Sequence, residues 1–151
     1  MEKRIGIQIT LIKQYLSRIW EKMLLEYGID AFNGAQGRIL YVLWNHDAIS
    51  IQELADQTGL TNATLTSMLD RMEQKHLLER RPAQDDRRKY LIALTGKARA
   101  MEKEYRAISN RMSDLTYKGF SPAEITQLET YLERVLENVR ELEKHQKTTK
   151  R

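Results

Sequence analysis

Residues 51–72 read IQELADQTGLTNATLTSMLDRM, a run that indicates two short helices. Ser50 with Glu53 three residues later is a capping-box pattern, which predicts a helix directly after Ser50. Gly59 is expected to end that helix, and Thr61 to cap a second one. The second helix is predicted to bury a stripe made of Leu65, Met68, Leu69 and Met72. Two helices joined by a short glycine turn form a helix-turn-helix.

Downstream of these helices the hydrophobic pattern changes from helical to strand-like. Residues 89–94 read KYLIAL and are rich in β-formers, and residues 78–81 are the predicted partner strand. Residues 82–88, PAQDDRR, form the polar tip between them. A β-hairpin, or wing, is therefore expected after the helix-turn-helix.

Two further helices are predicted before residue 50. The first runs from Ile5 to about Tyr27, and its apolar stripe has spacings of three and four. The stripe consists of Ile5, Ile9, Ile12, Leu16, Ile19 and Met23. Asn33 and Gln36 form a capping box for the second helix. Residues 48–49 are expected to be a short apolar link.

Two helices are also predicted after the wing. Thr95 is expected to cap one long helix with an apolar side of Ala98, Met101, Tyr105, Ile108, Met112 and Leu115. Residues 121–124, SPAE, combine a capping box with proline at the first helical position. The helix that follows carries a heptad seam made of Ile125, Leu128, Leu132, Val135, Val139 and Leu142. This seam needs a partner to cover it. Residues 144–151 lack periodicity and are expected to fray.

Composition limits the classes of function. The 151 residues fit one ordinary domain, and the absence of cysteine excludes disulfides and thiolate metal sites. His46, His76 and His145 are scattered, so no metal and no cofactor is expected. No carboxylate pair, nucleophile triad or phosphate loop appears, which argues against an enzyme. No apolar run reaches the roughly 18 residues of a membrane span, so a cytoplasmic protein is expected.

Four short motifs carry a resemblance to a known family. They are LDRM at residues 69–72, LLER at 77–80, and DRR at 86–88 running into LIALT at 91–95. Through them the chain resembles the MarR (multiple antibiotic resistance regulator) family over nearly its whole length. The wing signature, Asp-x-Arg followed by Leu-Thr, is fairly specific.

The resemblance implies a mostly α (α+β) fold and a single domain over residues 1–151. A winged helix-turn-helix lobe would occupy about 34–95, and helices in about 4–28 and 96–145 would form a dimerisation region. One departure is His76, because the family usually has glycine where the recognition helix ends. Histidine accepts the left-handed conformation less readily than glycine, so this helix end is expected to be less stable or differently shaped.

The second helix of the helix-turn-helix is the candidate recognition helix. A helix fits the major groove of B-DNA, and short polar side chains allow close approach to base edges and phosphates. The candidates are Thr61, Asn62, Thr64, Thr66 and Ser67. Taken alone these residues would fit a solvated helix face better, but within this order of elements DNA contact is the preferred interpretation.

The wing tip carries the second set of candidates. Arg87, Arg88 and Lys89 follow Asp86, and an arginine at a hairpin tip can enter a narrow, electronegative minor groove. In the family that the chain resembles, the aspartate orients the wing arginine, which implies that Asp86 holds Arg88, with Arg87 nearer the phosphates. The alternative is a solvated turn with a surface ion pair worth under about 1 kcal/mol.

Three more arginines have two open interpretations. Arg71 lies further along the recognition helix, and Arg80 and Arg81 lie in the strand leading to the wing. They either contact the flanking DNA backbone or form structural salt bridges with Glu73 or Glu79.

Four aromatic residues from the first two helices, Tyr15, Trp20, Tyr41 and Trp44, are candidates for an effector pocket. The resemblance implies small aromatic or phenolic ligands where such helices meet the DNA-binding lobe. Core packing is the stronger interpretation, because aromatic residues at helical spacing usually pack with their polar tips satisfied.

These inferences predict a homodimer that binds double-stranded DNA. Two symmetric recognition helices would enter successive major grooves about 34 to 36 Å apart, which calls for an inverted repeat. The resemblance implies a cytoplasmic, nucleoid-associated repressor that a small-molecule effector releases. The alternative is a winged-helix protein-interaction module without specific DNA binding.

Overall fold

The structure is a computed structural model that describes residues 2–149. Within these residues the chain is mostly helical, with one small antiparallel sheet. The elements are α1 (Ile5–Glu26), α2 (Gly34–Asn45), β1 (Ile49–Ser50), α3 (Ile51–Thr58), α4 (Asn62–Gln74), β2 (Leu78–Pro82), β3 (Tyr90–Leu94), α5 (Gly96–Ala100), α6 (Glu102–Thr116) and α7 (Pro122–Thr149). The mostly α fold class predicted from the sequence is confirmed.

The chain divides into two compact units, Met1–Asn110 and Arg111–Arg151. The first unit contains the core, built where α2, α3 and α4 bury their apolar faces together with β3 and part of α6. Its largest fully buried side chains are Leu24, Ile39, Leu40, Leu43, Leu54, Leu65, Leu69, Met72, Leu77, Leu78, Ile92 and Ile108. The second unit holds α7, which has no buried residue. The assignment of DNA-binding and dimerisation roles to segments of the chain stays a prediction.

The helix starts follow the capping residues predicted from the sequence. Asn33 accepts from the Gln36 N–H at 2.9 Å, and the Gln36 side chain accepts from the Asn33 N–H at 3.2 Å. Ser50 accepts from the Glu53 N–H at 3.1 Å. The capping boxes at the starts of α2 and α7 are both reciprocal, as the sequence predicted.

The sheet has the order β1-β3-β2. Strands β2 and β3 form the predicted hairpin, with Leu78 opposite Leu94 and Pro82 opposite Tyr90. The expectation that residues 48–49 are only a link was wrong, because Ile49 pairs with Ile92 and begins the two-residue strand β1. A strand this short has no period that could reveal it in the sequence.

The single long helix predicted after Thr95 was also wrong. Thr95 caps α5 as expected, but α5 ends at Ala100 and α6 begins two residues later. The Ala98 carbonyl accepts from the Met101 N–H at 3.2 Å and from the Trp44 indole at 3.1 Å. The hydrogen bond between Met101 and Ala98 spans three residues instead of four, and it interrupts the α-helical pattern. Beyond the break Leu115 is 56% exposed, so the predicted apolar side does not stay buried to its end.

The expected fraying from residue 144 was wrong as far as residue 149, while residues 150–151 lie outside the described residues. Helix α7 continues to Thr149. Lys147 pairs with Glu143 one turn earlier at 3.4 Å, and the Thr148 hydroxyl donates to the Lys144 carbonyl at 3.1 Å. Such i,i+4 contacts stabilise a helix without tertiary packing.

The end of α4 has the shape that a glycine would give it. His76 has a φ of 58°, its N–H donates to the Glu73 carbonyl, and the Leu77 N–H donates to the Met72 carbonyl. These two bonds form a Schellman motif. Histidine therefore occupies the left-handed position, at a conformational cost of about 1 kcal/mol.

Asp47, in the loop after α2, contacts both β3 and α5. Its Oδ1 accepts from the Leu94 N–H at 2.9 Å and from the Ala48 N–H at 2.8 Å. Its Oδ2 lies 2.6 Å from the Arg99 guanidinium. Burial alone would raise the pKa of Asp47, but the hydrogen bond from Leu94 and the contact with Arg99 outweigh it and hold the pKa below its ordinary value.

We expect Asp47→Ala to lower the free energy of unfolding at pH 7 by about 1–3 kcal/mol, because the Leu94 N–H and Arg99 lose their acceptor. Since the folded-state pKa is depressed, the wild-type advantage is complete above the unfolded-state pKa and disappears as the pH falls through the folded value. Urea unfolding at pH 7 and in acid measures both. Asp30→Ala, at an exposed position, is the control, and an equal loss in the two variants would contradict this role for Asp47.

Candidate nucleic-acid interface

The turn between α3 and α4 is fixed by backbone and hydroxyl contacts. Gly59 has a φ of 71° and its N–H donates to the Ala55 carbonyl at 2.9 Å. Thr61 caps α4 by accepting from the Thr64 N–H at 3.3 Å, and its hydroxyl donates to the Thr64 hydroxyl at 3.0 Å. The predicted helix-turn-helix is confirmed, with the start of α4 held by its own threonines.

Helix α4 has one buried face and one exposed polar face. The buried side chains are Leu65, Leu69 and Met72, whereas Met68, predicted to be buried, is partly exposed. The polar candidates, all exposed, are Thr61, Asn62, Thr64, Thr66, Ser67 and Arg71. The Arg71 guanidinium donates to the Ser67 hydroxyl at 3.3 Å. All six candidates are thus exposed on α4 or its cap.

The wing tip is a turn organised by Asp86. The Asp86 carboxylate accepts from the Arg88 N–H at 2.9 Å, and the Arg88 Nε lies 3.5 Å from the same oxygen. The Lys89 N–H donates to the Asp86 carbonyl, and the Lys89 carbonyl accepts from the Ala83 N–H. The Arg88 side chain is 92% exposed although its base is held. The Asp86–Arg88 pair implied by the resemblance is present, with Arg87 and Lys89 exposed beside it.

The wing strand β2 is tied to α4 by a forked salt bridge. Arg80 donates one Nη to Asp70 at 2.7 Å and the other to Glu73 at 2.5 Å. Burial opposes the charge of Arg80, but the two carboxylates outweigh this effect and raise its pKa further. Arg81 pairs with Glu79 on its own strand. In the structure Arg80 and Arg81 therefore both form salt bridges, and Asp70 is a partner that the sequence analysis missed.

Three of the four aromatic effector candidates surround Tyr105. Its ring centroid lies 5.0 Å from that of Trp20, 6.1 Å from Tyr41 and 4.9 Å from Trp44. Phe32 completes this ring cluster at 6.0 Å. Tyr105 and Phe32 were missed as members, although the position of Tyr105 in the apolar stripe of its helix was a signal. The fourth candidate, Tyr15, is 58% exposed and lies beneath Arg18 instead.

Two polar groups of the ring cluster are unusual. Burial, with a smaller effect of Tyr41, raises the pKa of Tyr105 to about 12, against an opposing effect of Arg38. The Trp44 indole N–H donates to the Ala98 carbonyl, but the Trp20 Nε1 is buried without a hydrogen-bond partner among the described residues. Gly34 packs so closely here that an added Cβ would lie 2.9 Å from the Trp20 ring.

Residues 2–149 lack the groups that a metal site or a membrane span requires. Among these residues, no group of three or more acidic, histidine or cysteine side chains is arranged to hold a metal ion. No helix in this part of the chain combines the length and apolar character needed to cross a bilayer.

A helix-turn-helix followed by an antiparallel wing, with the wing salt-bridged to the second helix, makes this a winged helix-turn-helix protein. A sequence model described as "MarR family" matches residues 32–90. The chain is 41% identical over 56 residues to the organic hydroperoxide resistance transcriptional regulator of Bacillus subtilis, an alignment that covers 37% of this chain and 38% of that protein.

Solved structures extend the likeness to the remaining helices. A mutant form of MarR from E. coli, complexed with operator DNA, superposes with a TM-score of 0.78 at 26% identity, covering 87% of this chain and 93% of that one. Bordetella bronchiseptica BpsR shares the fold, with a TM-score of 0.77 at 23% identity over 88% of this chain and 98% of that one. Over residues 32–90 the chain therefore matches the MarR family of transcriptional regulators, and its fold resembles that of E. coli MarR.

Proposed function

We propose that this chain binds double-stranded DNA as a sequence-specific regulator, with α4 in the major groove and the wing in the adjacent minor groove. The observation that carries the proposal is the joint presentation of an exposed polar helix face and a basic wing tip. The exposed polar face of α4 and the Asp86-held Arg88 belong to elements that Arg80 ties together. The E. coli structure complexed with operator DNA supports this assignment.

The chemistry of the two elements suits different parts of a duplex. Asn62, Thr64 and Thr66 offer short donors and acceptors that reach base edges only when the helix lies deep in the major groove. Arg88 extends into solvent from a fixed base, so it loses little freedom on entering a narrow minor groove. Arg87 and Lys89 supply phosphate contacts that are independent of sequence.

A homodimer accounts for apolar surface that one chain leaves uncovered. On α1, Ile5, Ile9, Ile12 and Ile19 are each at least 40% exposed. On α7, Leu132, Leu136, Val139 and Leu142 are exposed to the same degree. Contiguous apolar faces of this kind mark interaction surfaces, and a two-fold dimer covers the same face on both copies. Such a dimer places two copies of α4 on an inverted repeat.

Repression is the direction of regulation that we propose, since a dimer bound across a promoter would exclude the polymerase. The protein would act in the cytoplasm, associated with the nucleoid when it is bound to its operator.

The first test is selection from a random duplex library, followed by affinity measurements at two salt concentrations. We expect one inverted repeat to be selected, with binding that weakens steeply as salt displaces phosphate contacts. Arg88→Ala should lose about ten-fold in affinity for this repeat, whereas Lys103→Ala on α6 removes an equal charge and should change little. Failure of the wild-type dimer to select any sequence would instead favour the protein-interaction module.

The dimer is tested by placing a charge in the α1 stripe. Ile12→Glu should raise the dimer dissociation constant at least about ten-fold, because it buries an unpaired carboxylate. Gln14→Glu is the matched control, since position 14 lies on the opposite side of the helix at about 100° per residue. Sedimentation equilibrium gives both constants. Equal weakening by the two substitutions, or a wild-type monomer at micromolar concentration, would exclude this interface.

We further propose that a small aromatic or phenolic effector binds at the ring cluster and weakens DNA binding. The specific observation is the Trp20 Nε1, a buried donor that has no hydrogen-bond partner within residues 2–149 and that a ligand oxygen would satisfy. The BpsR structure concerns regulation of DNA binding by 6-hydroxynicotinic acid, which supports an aromatic acid as a probe.

The effector proposal predicts that a panel of phenols and aromatic acids contains a compound that lowers DNA affinity. Trp20→Phe keeps an aromatic ring but removes the N–H, and should weaken binding of that compound about five-fold or more in calorimetry. Tyr15→Phe, outside the ring cluster, should leave it unchanged. DNA affinity that no member of the panel alters would count against this part of the function.

A further inference from the structure

We propose that Arg80 is a positioning residue for DNA recognition, which sets the angle between the wing and α4 by forking across Asp70 and Glu73. The inference rests on the proposed function, because the angle matters only if both elements read the same duplex. Arg80 itself makes no base or phosphate contact in this scheme.

The geometry of the fork restrains the two elements at two points. Asp70 and Glu73 are three residues apart on α4, so they lie one above the other on the same side of the helix. Each accepts from a different Nη of the same planar guanidinium, at 2.7 and 2.5 Å. Two bonds to a rigid planar group restrain rotation as well as distance, which one bond would not do.

The restraint extends through the sheet to the other wing strand. The backbone of Arg80 is paired with Ile92 of β3, which is fully buried. A restraint on the Arg80 side chain therefore acts on both strands of the hairpin. The chain itself links α4 to β2 through a short segment that contains the left-handed His76. The fork is a second connection between the two elements and does not depend on this segment.

Charge gives the fork another role at a DNA surface. Asp70 and Glu73 have half-exposed carboxylates on the helix that is to approach a polyanion. Arg80 neutralises one of these two charges and orients both carboxylates toward the wing. Without it, two unpaired carboxylates on α4 would repel the DNA phosphates.

Arg81 is the natural comparison. It carries the same charge one residue further along, but its guanidinium pairs with Glu79 of the same strand and not with a carboxylate of α4. Its side chain is 52% exposed, whereas that of Arg80 is 24% exposed. An exposed pair within one strand restrains nothing else, so Arg81 provides a matched control for charge and location.

The first experiment needs no DNA. Hydrogen–deuterium exchange of the hairpin amides in residues 79–92 should be faster in Arg80→Met than in the wild-type chain, and unchanged in Arg81→Met. Arg80→Lys keeps the charge but cannot fork in one plane, so it should resemble Arg80→Met. Arg80→Lys also replaces Arg80→Met in this exchange experiment if Arg80→Met does not fold. Hairpin exchange at the wild-type rate in either folded variant would overturn the inference.

The second experiment is a mutant cycle on DNA binding. In the wild-type background Arg80→Met should reduce affinity for the selected repeat about ten-fold, and in the Asp70→Asn, Glu73→Gln background about two-fold or less. A direct phosphate contact would instead give the same loss in both backgrounds and overturn the positioning role. If the wild-type chain selects no DNA sequence, the proposed function fails, while the exchange experiment still decides whether the fork holds the wing.

Discussion

Strand β3 is hydrogen-bonded on both edges, to β1 and to β2, and the direction of the wing depends on this pairing. Ile92, Ala93 and Leu94 of this strand are all buried, so a shift of register would move core side chains out of their packed positions. The Asp47 carboxylate accepts a hydrogen bond from the N–H of Leu94, the last residue of the strand. Because the hairpin is anchored at its buried end, the polar tip at the other end keeps a defined orientation.

Local features of the fold could be predicted from the sequence because they depend on residues only a few positions apart. The caps at Asn33, Ser50 and Thr61 each involve a residue three positions later. The wing turn follows the same logic, since Asp86 accepts from the N–H two residues on. In such cases the side chain and its partner are close in the sequence, so few local conformations allow the contact. Tertiary packing only selects among these conformations.

Features that join distant segments could not be predicted in this way. Strand β1 exists because Ile49 pairs with Ile92, and near the end of α5 the Ala98 carbonyl accepts a hydrogen bond from Trp44, 54 residues away in the sequence. The ring cluster around Tyr105 and the Asp70 arm of the salt bridge are of the same kind. The length of α7 was underestimated for another reason, since its last turns are held by i,i+4 pairs and carry no apolar pattern.

Both tryptophans of the chain belong to the ring cluster, and each packs against Tyr105. Their two indole N–H groups are in contrasting states, one bonded to a backbone carbonyl and one without a partner among the described residues. The tryptophan fluorescence of this protein consequently originates from a single region within the first unit and contains no contribution from the wing tip or from α4. The chain thus carries its own optical reporter, one that senses the packing of α1, α2 and α6 around Tyr105.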